Sequence, residues 1–296
     1  MKKNIIYLIL ILFSTFLNAN EKIVLQLKWF HQFQFAGYYA AKEKGFYDEV
    51  GLNVEIRQRD LKYNNIDEVI NGNAQYGVAD SILILYRLKQ QPVVIVSPIF
   101  QHSPSVFISL KKKNISSIYE LNNKDILFYP NDTDGFSLLA MIKKFDLDVN
   151  LVRERYKDDY MRLINNEVDV MPAYIANEPF LFKEKGYDVN IINPTNYGFD
   201  MYGDMLFTNE DEAKNYPIRV EKFKKATLKG WKYALENKEE IIQLISEKYS
   251  KEKSIEHLRY EANAIDSLIN KNLTPLGYLD EGRIRYISEM YEYYGL

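Results

Sequence analysis

Three histidines, at positions 31, 102 and 257, are all the imidazole this 296-residue chain carries. They form no i, i+4 pair and no metal-ligand spacing. The chain has no cysteine, which removes thiol nucleophiles, Cys-ligated metals and disulfides. Neither a GxGxxG turn nor a Walker A loop occurs, so no phosphate cradle of that kind is expected. Carboxylate pairs such as Asp158-Asp159 and Glu239-Glu240 sit in charged helical stretches and read as solvated surface. What remains is chemistry of holding: 24 Tyr and 16 Phe against 2 Trp, with carboxylates and amides at predicted strand ends. No catalytic residue, metal or cofactor is expected.

Each candidate has a plain structural alternative. Trp29, beside Phe30, His31 and Phe33, ends a predicted strand, and its indole either stacks on a flat ligand or closes the core. His31 either donates to a ligand acceptor or satisfies a backbone carbonyl in the turn. Gln34 opens the next helix, where free N–H groups and a polar side chain face a cleft. Tyr38 and Tyr39 are adjacent and point different ways on a helix; Tyr38 is taken as the contact. Asp80 and Ser81 either cap a helix or present an acceptor and a donor to an exocyclic amine. In FYPNDTDGFS, a run of turn formers, Tyr129 and Asp132 are the two residues expected to line a cleft. In AYIANEPF, Tyr174 ends a strand, and Asn177 and Glu178 begin a helix. Glu178 either favours the helix dipole or makes a charge-assisted pair with a ligand amine. Tyr202 and Asp204 stand near a late crossover. The set is aromatic and acidic and short of cations, which suits a flat neutral or cationic ligand better than a sulfonate or nitrate.

Strands are predicted at 21–29, 53–57, 75–79 and 93–99, with helices at 35–44, 66–71 and 81–89 between them. IVLQL is nearly continuous in apolar character, as a buried strand is, and Gly45 ends the first helix. A second cycle after Pro104 has strands at 106–110, 126–129, 151–155, 168–173 and 188–192, with helices at 135–145, 158–165 and 176–185. A late strand at 204–208 precedes helices at 218–236, 238–248, 255–269 and 282–294. Strands alternating with helices predict right-handed βαβ units on parallel sheet, hence an α/β chain of two lobes with a helical C-terminal tail. Crossings near 101–105 and 199–204 divide it into 20–103, 104–199 and a return segment, 200–296. In such a fold ligands sit between lobes, at the carboxyl ends of strands.

Composition agrees: 47% hydrophobic and 27% charged is an ordinary globular chain with ample core. A net charge of −3 does not point to nucleic acid. Residues 1–19 read as a signal peptide, with Lys2 and Lys3, a 13-residue apolar run from Ile5 to Leu17, and cleavage after Ala19. The alternative is an uncleaved anchor, for which the run is shorter than the roughly 20 residues of a spanning helix. A periplasmic, monomeric protein is expected.

The segment LQLKWFHQFQFAGYYAAKEKGFYDEVGLNVEI, followed by VINGNAQYGVADS and DVMPAYIANEPF, resembles the family that contains the fungal thiamine pyrimidine synthase and bacterial binding proteins for thiamine pyrimidine precursors. The resemblance implies a type II periplasmic-binding fold and a stacking Trp at position 29. It further implies a small aromatic heterocycle as ligand, delivered to an ABC permease, with Glu178 on an aminopyrimidine edge. A sensory binding protein signalling to a membrane receptor or kinase, and a carrier for another solute such as a sulfonate, are the alternatives. The synthase itself is not expected. The position of its pyridoxal-phosphate lysine is Ala79 and that of its consumed histidine is Leu83, and an aldimine needs a primary amine.

Overall fold

In a computed structural model of the chain, residues 20–128, 135–153 and 160–294 are described. The leader, Tyr129, Asp132 and the Asp158-Asp159 pair lie outside the described residues.

The first sheet takes β1 (Glu21–Gln26), β2 (Leu52–Arg57), β3 (Tyr76–Ala79), β4 (Val93–Pro98) and a late strand, β10 (Met205–Asn209). Its order is β2-β1-β3-β10-β4. β1 runs parallel to β2 and β3, whereas β10 is antiparallel to both β3 and β4. The expectation of a parallel sheet is corrected here. A strand that re-enters from the crossover side starts at the end where its neighbours finish, so it runs against them.

The second lobe holds β5 (Ser105–Leu110), β6 (Asp125–Phe128), β7 (Asn150–Arg153), β8 (Met171–Tyr174) and β9 (Val189–Ile192). β8-β5-β9 pair antiparallel, while β6 and β7 pair in parallel and join the rest through a single bridge from Ile126 to Val170. Parallel pairing is therefore a property of part of this lobe only. The strand predicted at 168–173 runs instead from Met171 to Tyr174, with Val170 bridged to β6 and its carbonyl accepting the Leu127 N–H at 2.9 Å.

The helices are α1 (Ala36–Glu43), α2 (Asn65–Ile70), α3 (Ile82–Leu88), α4 (Phe136–Lys144), α5 (Tyr160–Ile164), α6 (Glu178–Glu184), α7 (Glu210–Asn215), α8 (Pro217–Glu236), α9 (Lys238–Lys248), α10 (Ile255–Ile269) and α11 (Glu281–Tyr293). Local chemistry sets their starts. Pro217 occupies the first turn of α8, where its missing N–H costs nothing. The side chains of Ser254 and Asp280 accept backbone N–H groups to begin α10 and α11. Among the described residues no helix is long and apolar enough to cross a membrane.

The tightest helix crossing is between α1 and α8, beneath the first sheet. Gly37 faces the Trp231 ring and Gly230 faces the Gly37 carbonyl, so the two backbones approach where any side chain would intrude. A Cβ on Gly37 would lie 2.1 Å from Trp231 Cγ. Trp231 is fully buried there, packed edge-on against Phe100 at 5.9 Å. Replacing Gly37 with Ala gains roughly 1 kcal/mol of helix propensity. The clash is with a wedged indole rather than a flexible tip, so overpacking wins. Gly37→Ala should destabilise the fold by about 1–3 kcal/mol, read as a lowered thermal midpoint; an unchanged or raised midpoint would show that the crossing has slack.

Candidate functional site

The carboxyl ends of β1, β3 and β8 and the start of β10 meet at one place. Lys28 and Trp29 lie just past β1, Asp80 just past β3, Asp204 just before β10, and Tyr174 closes β8. Lys28 Nζ stands 3.3 Å from Asp204 Oδ1, with side-chain exposures of 3% and 2%. The Tyr174 hydroxyl donates to the same oxygen at 2.7 Å. Gln34 Nε2 donates to Asp204 Oδ2 at 2.8 Å and to the Tyr174 hydroxyl at 2.9 Å, while Gln34 Oε1 accepts from Gln32 at 2.5 Å. The Lys28 ammonium also sits 5.4 Å from the centre of the Tyr174 ring. The cluster is buried, internally neutral, and built from both lobes.

Trp29 borders this cluster, half-buried, with Phe30 edge-on at 5.3 Å. Tyr38 is buried under it, edge-on to Trp231 at 5.8 Å, and its hydroxyl has no hydrogen-bond partner among the described residues. Burial, then the charge of Asp204, pushes the Tyr38 phenol up. His31 turns to its own helix: Nδ1 lies 2.9 Å from the Tyr39 hydroxyl, and Tyr39 stacks on Tyr249 at 4.1 Å. Burial holds the His31 pKa below its ordinary value. Asp80 Oδ1 accepts the Ile82 N–H at 2.9 Å, closing the turn into α3. Ser81 and Tyr202 face α11: the Ser81 hydroxyl lies 2.9 Å from that of Tyr291, and the Tyr202 hydroxyl accepts the Asp280 N–H at 2.8 Å under the Arg283 guanidinium. The structure thus gathers Gln34 and Tyr174 with Asp204 beside Trp29, and sets His31, Ser81 and Tyr202 in contacts of their own.

A second polar group sits where α6 meets α10. Glu178 Oε2 accepts the Tyr174 N–H and Oε1 accepts from Asn177 Nδ2, both at 2.6 Å. Lys253 Nζ donates to Asn177 Oδ1 at 2.5 Å and pairs with Glu261, whose other oxygen accepts the Phe33 N–H at 2.8 Å. Burial raises both carboxyls, Glu178 and Glu261, against the pull of Lys253. His257 lies between Phe180, Glu184 and Glu261, and Tyr260 donates to the Ile175 carbonyl at 3.0 Å. These contacts run from lobe to lobe.

Sequence reasoning did not single out Lys28, Lys253, His257 or Glu261. Lys28 carried one signal: it breaks the apolar run of β1 immediately before Trp29, at the cleft end of a buried strand. His257 and Glu261 sit on a helix whose charge pattern looks solvated, and Lys253 lies in the charged turn just before it.

A family model described as NMT1/THI5 like matches residues 32–241. The chain belongs to that family. Riboflavin-binding protein RibY of Chloroflexus aurantiacus is 25% identical over 236 residues, 76% of this chain and 65% of that protein, so the match spans slightly less than two thirds of that relative. The formylaminopyrimidine-binding protein of Halalkalibacterium halodurans is 23% identical over 232 residues, 77% of this chain and 70% of that one. Among solved structures, the alkanesulfonate-binding protein SsuA from Xanthomonas axonopodis pv. citri bound to MOPS superposes with a TM-score of 0.70 at 11% identity, covering 93% of each chain. The architecture is that of the two-lobed periplasmic binding proteins. In this NMT1/THI5-like chain Ala79 is fully buried.

Burial, then the nearby Lys253 charge, lowers His257 from its ordinary 6.5 to about 4. Below pH 6.5 the unfolded chain binds a proton there that the folded chain refuses, so stability falls as pH drops from about 6.5 towards 4. The raised carboxyls of Glu178 and Glu261 oppose this, so the difference between proteins isolates the imidazole. Thermal midpoints of His257→Gln should fall less steeply than wild type across that window; parallel profiles would show that His257 carries no such cost.

Proposed function

We propose that this protein is the periplasmic solute-binding component of an ABC importer, closing its two lobes over a small aromatic heterocycle, with a thiamine pyrimidine precursor as the leading ligand. It works as a binder and not as a catalyst. The lobes are 20–103 with 200–296, and 104–199, and an inner-membrane permease receives the cargo from the closed, monomeric protein.

The observation that carries this reading is the neutral floor beside a half-buried indole. Lys28 and Asp204 cancel each other, so a bare anion finds no net positive charge there, whereas a planar ring can lie on Trp29 with its polar edge over Gln34, Tyr174 and Asp204. The relatives named for riboflavin and formylaminopyrimidine, both flat nitrogen heterocycles, support the same class. The Lys28 ammonium and Tyr174 hydroxyl already hold Asp204 in place, so its carboxylate meets a ligand without first paying for reorientation. Closure carries Tyr174, Asn177 and Glu178 towards Trp29.

A thermal-shift screen of the exported protein tests this, using hydroxymethylpyrimidine, formylaminopyrimidine, thiamine, riboflavin, taurine and nitrate. A ligand present at 100 times its Kd stabilises by roughly 2.7 kcal/mol. A shift with pyrimidines supports the reading, and a shift with taurine or nitrate alone overturns it. Trp29→Ala should cost about 1–3 kcal/mol of binding, the scale of one stacked ring, measured by calorimetry; unchanged affinity removes Trp29 from the site. Lost uptake of the labelled ligand on deleting the gene supports import. Unchanged uptake together with a lost transcriptional response points to the sensory role.

A further inference from the structure

The strand order places four charges along the cleft edge of the first sheet. Pairing of β2 with β1 continues past both strands: the Leu27 N–H donates to the Arg57 carbonyl at 2.8 Å and the Arg59 N–H to the Trp29 carbonyl at 3.1 Å. Arg59 therefore ends β2 beside Lys28, which ends β1, and Asp80 and Asp204 follow at β3 and β10. Read across the sheet, the edge is cation, cation, anion, anion.

Arg59 differs from the other three. Its guanidinium donates to Asn65 Oδ1, and Nη1 lies 3.5 Å from the Lys28 carbonyl. Asn65 is itself buried and pinned to the Val78 carbonyl at 2.9 Å, so the guanidinium rests on a rigid seat. Among the described residues Arg59 has no carboxylate partner, and its Nε is buried without an acceptor. A buried N–H with no partner is costly, and a guanidinium offers donors in a planar fork suited to a carbonyl or carboxylate.

Resting on the heterocycle reading above, we propose that Arg59 is a specificity residue of the cleft, and that the ligand is a polarised heterocycle. Its acyl or oxo group, an acceptor, lies at the β2–β1 end against Arg59. Its amino group, a donor, lies at the β3–β10 end against Asp80 and Asp204. The class excludes ligands that only accept, such as aliphatic sulfonates, and disfavours a simple amine lacking the acyl group. One flat ring spans the edge with Trp29 as its platform, so the charge order fixes which way round the ring enters.

Calorimetry of wild type and Arg59→Gln against two probes tests it: formylaminopyrimidine, and the same aminopyrimidine without its formyl group. Wild type should prefer the formylated probe at least tenfold. Arg59→Gln should lose about 10- to 100-fold on that probe, the scale of a charge-assisted hydrogen bond, and less than threefold on the other. Equal losses on both, or none, overturn the role of Arg59 while leaving the heterocycle reading intact. Wild-type binding of neither probe overturns that reading, and this inference with it. Should Arg59→Gln lack a folded thermal transition, Arg59→Lys carries the comparison: a preference reduced several-fold supports the proposal and an unreduced one overturns it.

Discussion

The ion pair between Lys28 and Asp204 joins residues 176 positions apart, almost without solvent contact. Removing both charges from water is expensive, and the pair repays that because Tyr174 and Gln34 also donate to the carboxylate, leaving part of its accepting capacity for a ligand. Everything nearby inherits its position from this contact. It fixes the end of β1, hence the exit of Trp29, and it holds the re-entrant segment before β10 against the first sheet. Through the Tyr174 hydroxyl it also reaches the second lobe at the strand beside the crossover. A chain that lost one partner would bury an uncompensated charge, typically a matter of 3–5 kcal/mol.

The lobes are held at two further places with different chemistry. Along the seam of α6 and α10, aromatic contacts from Phe180 to His257 and Tyr260 surround the polar bridge of Lys253 between Asn177 and Glu261. Elsewhere, α11 lies against residues 198–202. Arg283 donates to the Asp200 carbonyl and stacks on Tyr202, Tyr286 donates to the Gly198 carbonyl at 2.7 Å, and the Asp200 carboxylate meets His102 at 2.8 Å. The C-terminal helix thus ties down the segment that returns to the first sheet. The seam is where opening must break contacts.

Much of this was legible before any coordinates. The apolar run IVLQL announced β1, Gly45 ended α1, and Asp80 marked the turn into α3, because these signals act within a few residues. The family was legible for a related reason: the segment around Trp29 combines a strand end, an aromatic turn and a small-residue helix in one stretch. Direction and pairing were not. Nothing local in MLFTN says that it will insert between β3 and β4 and run against them. The electrostatic core was equally opaque, since Lys28 meets a carboxylate 176 positions away and Lys253 is turned inward by Asn177, from another part of the chain, as well as by Glu261.

That insertion has a consequence for the order in which the molecule is built. Among the described residues β4 neighbours β10 alone in the sheet, and about a hundred residues of chain separate the two. Until residues 205–209 have been made, the first half of the protein carries a bare strand and an unneutralised Lys28. The second lobe, whose strands all lie between residues 105 and 192, is under no such delay. Completing the first sheet therefore waits on a segment from the last third of the chain. Contacts between residues this far apart in sequence slow folding, so the sheet that carries one wall of the cleft closes on its most distant pairing.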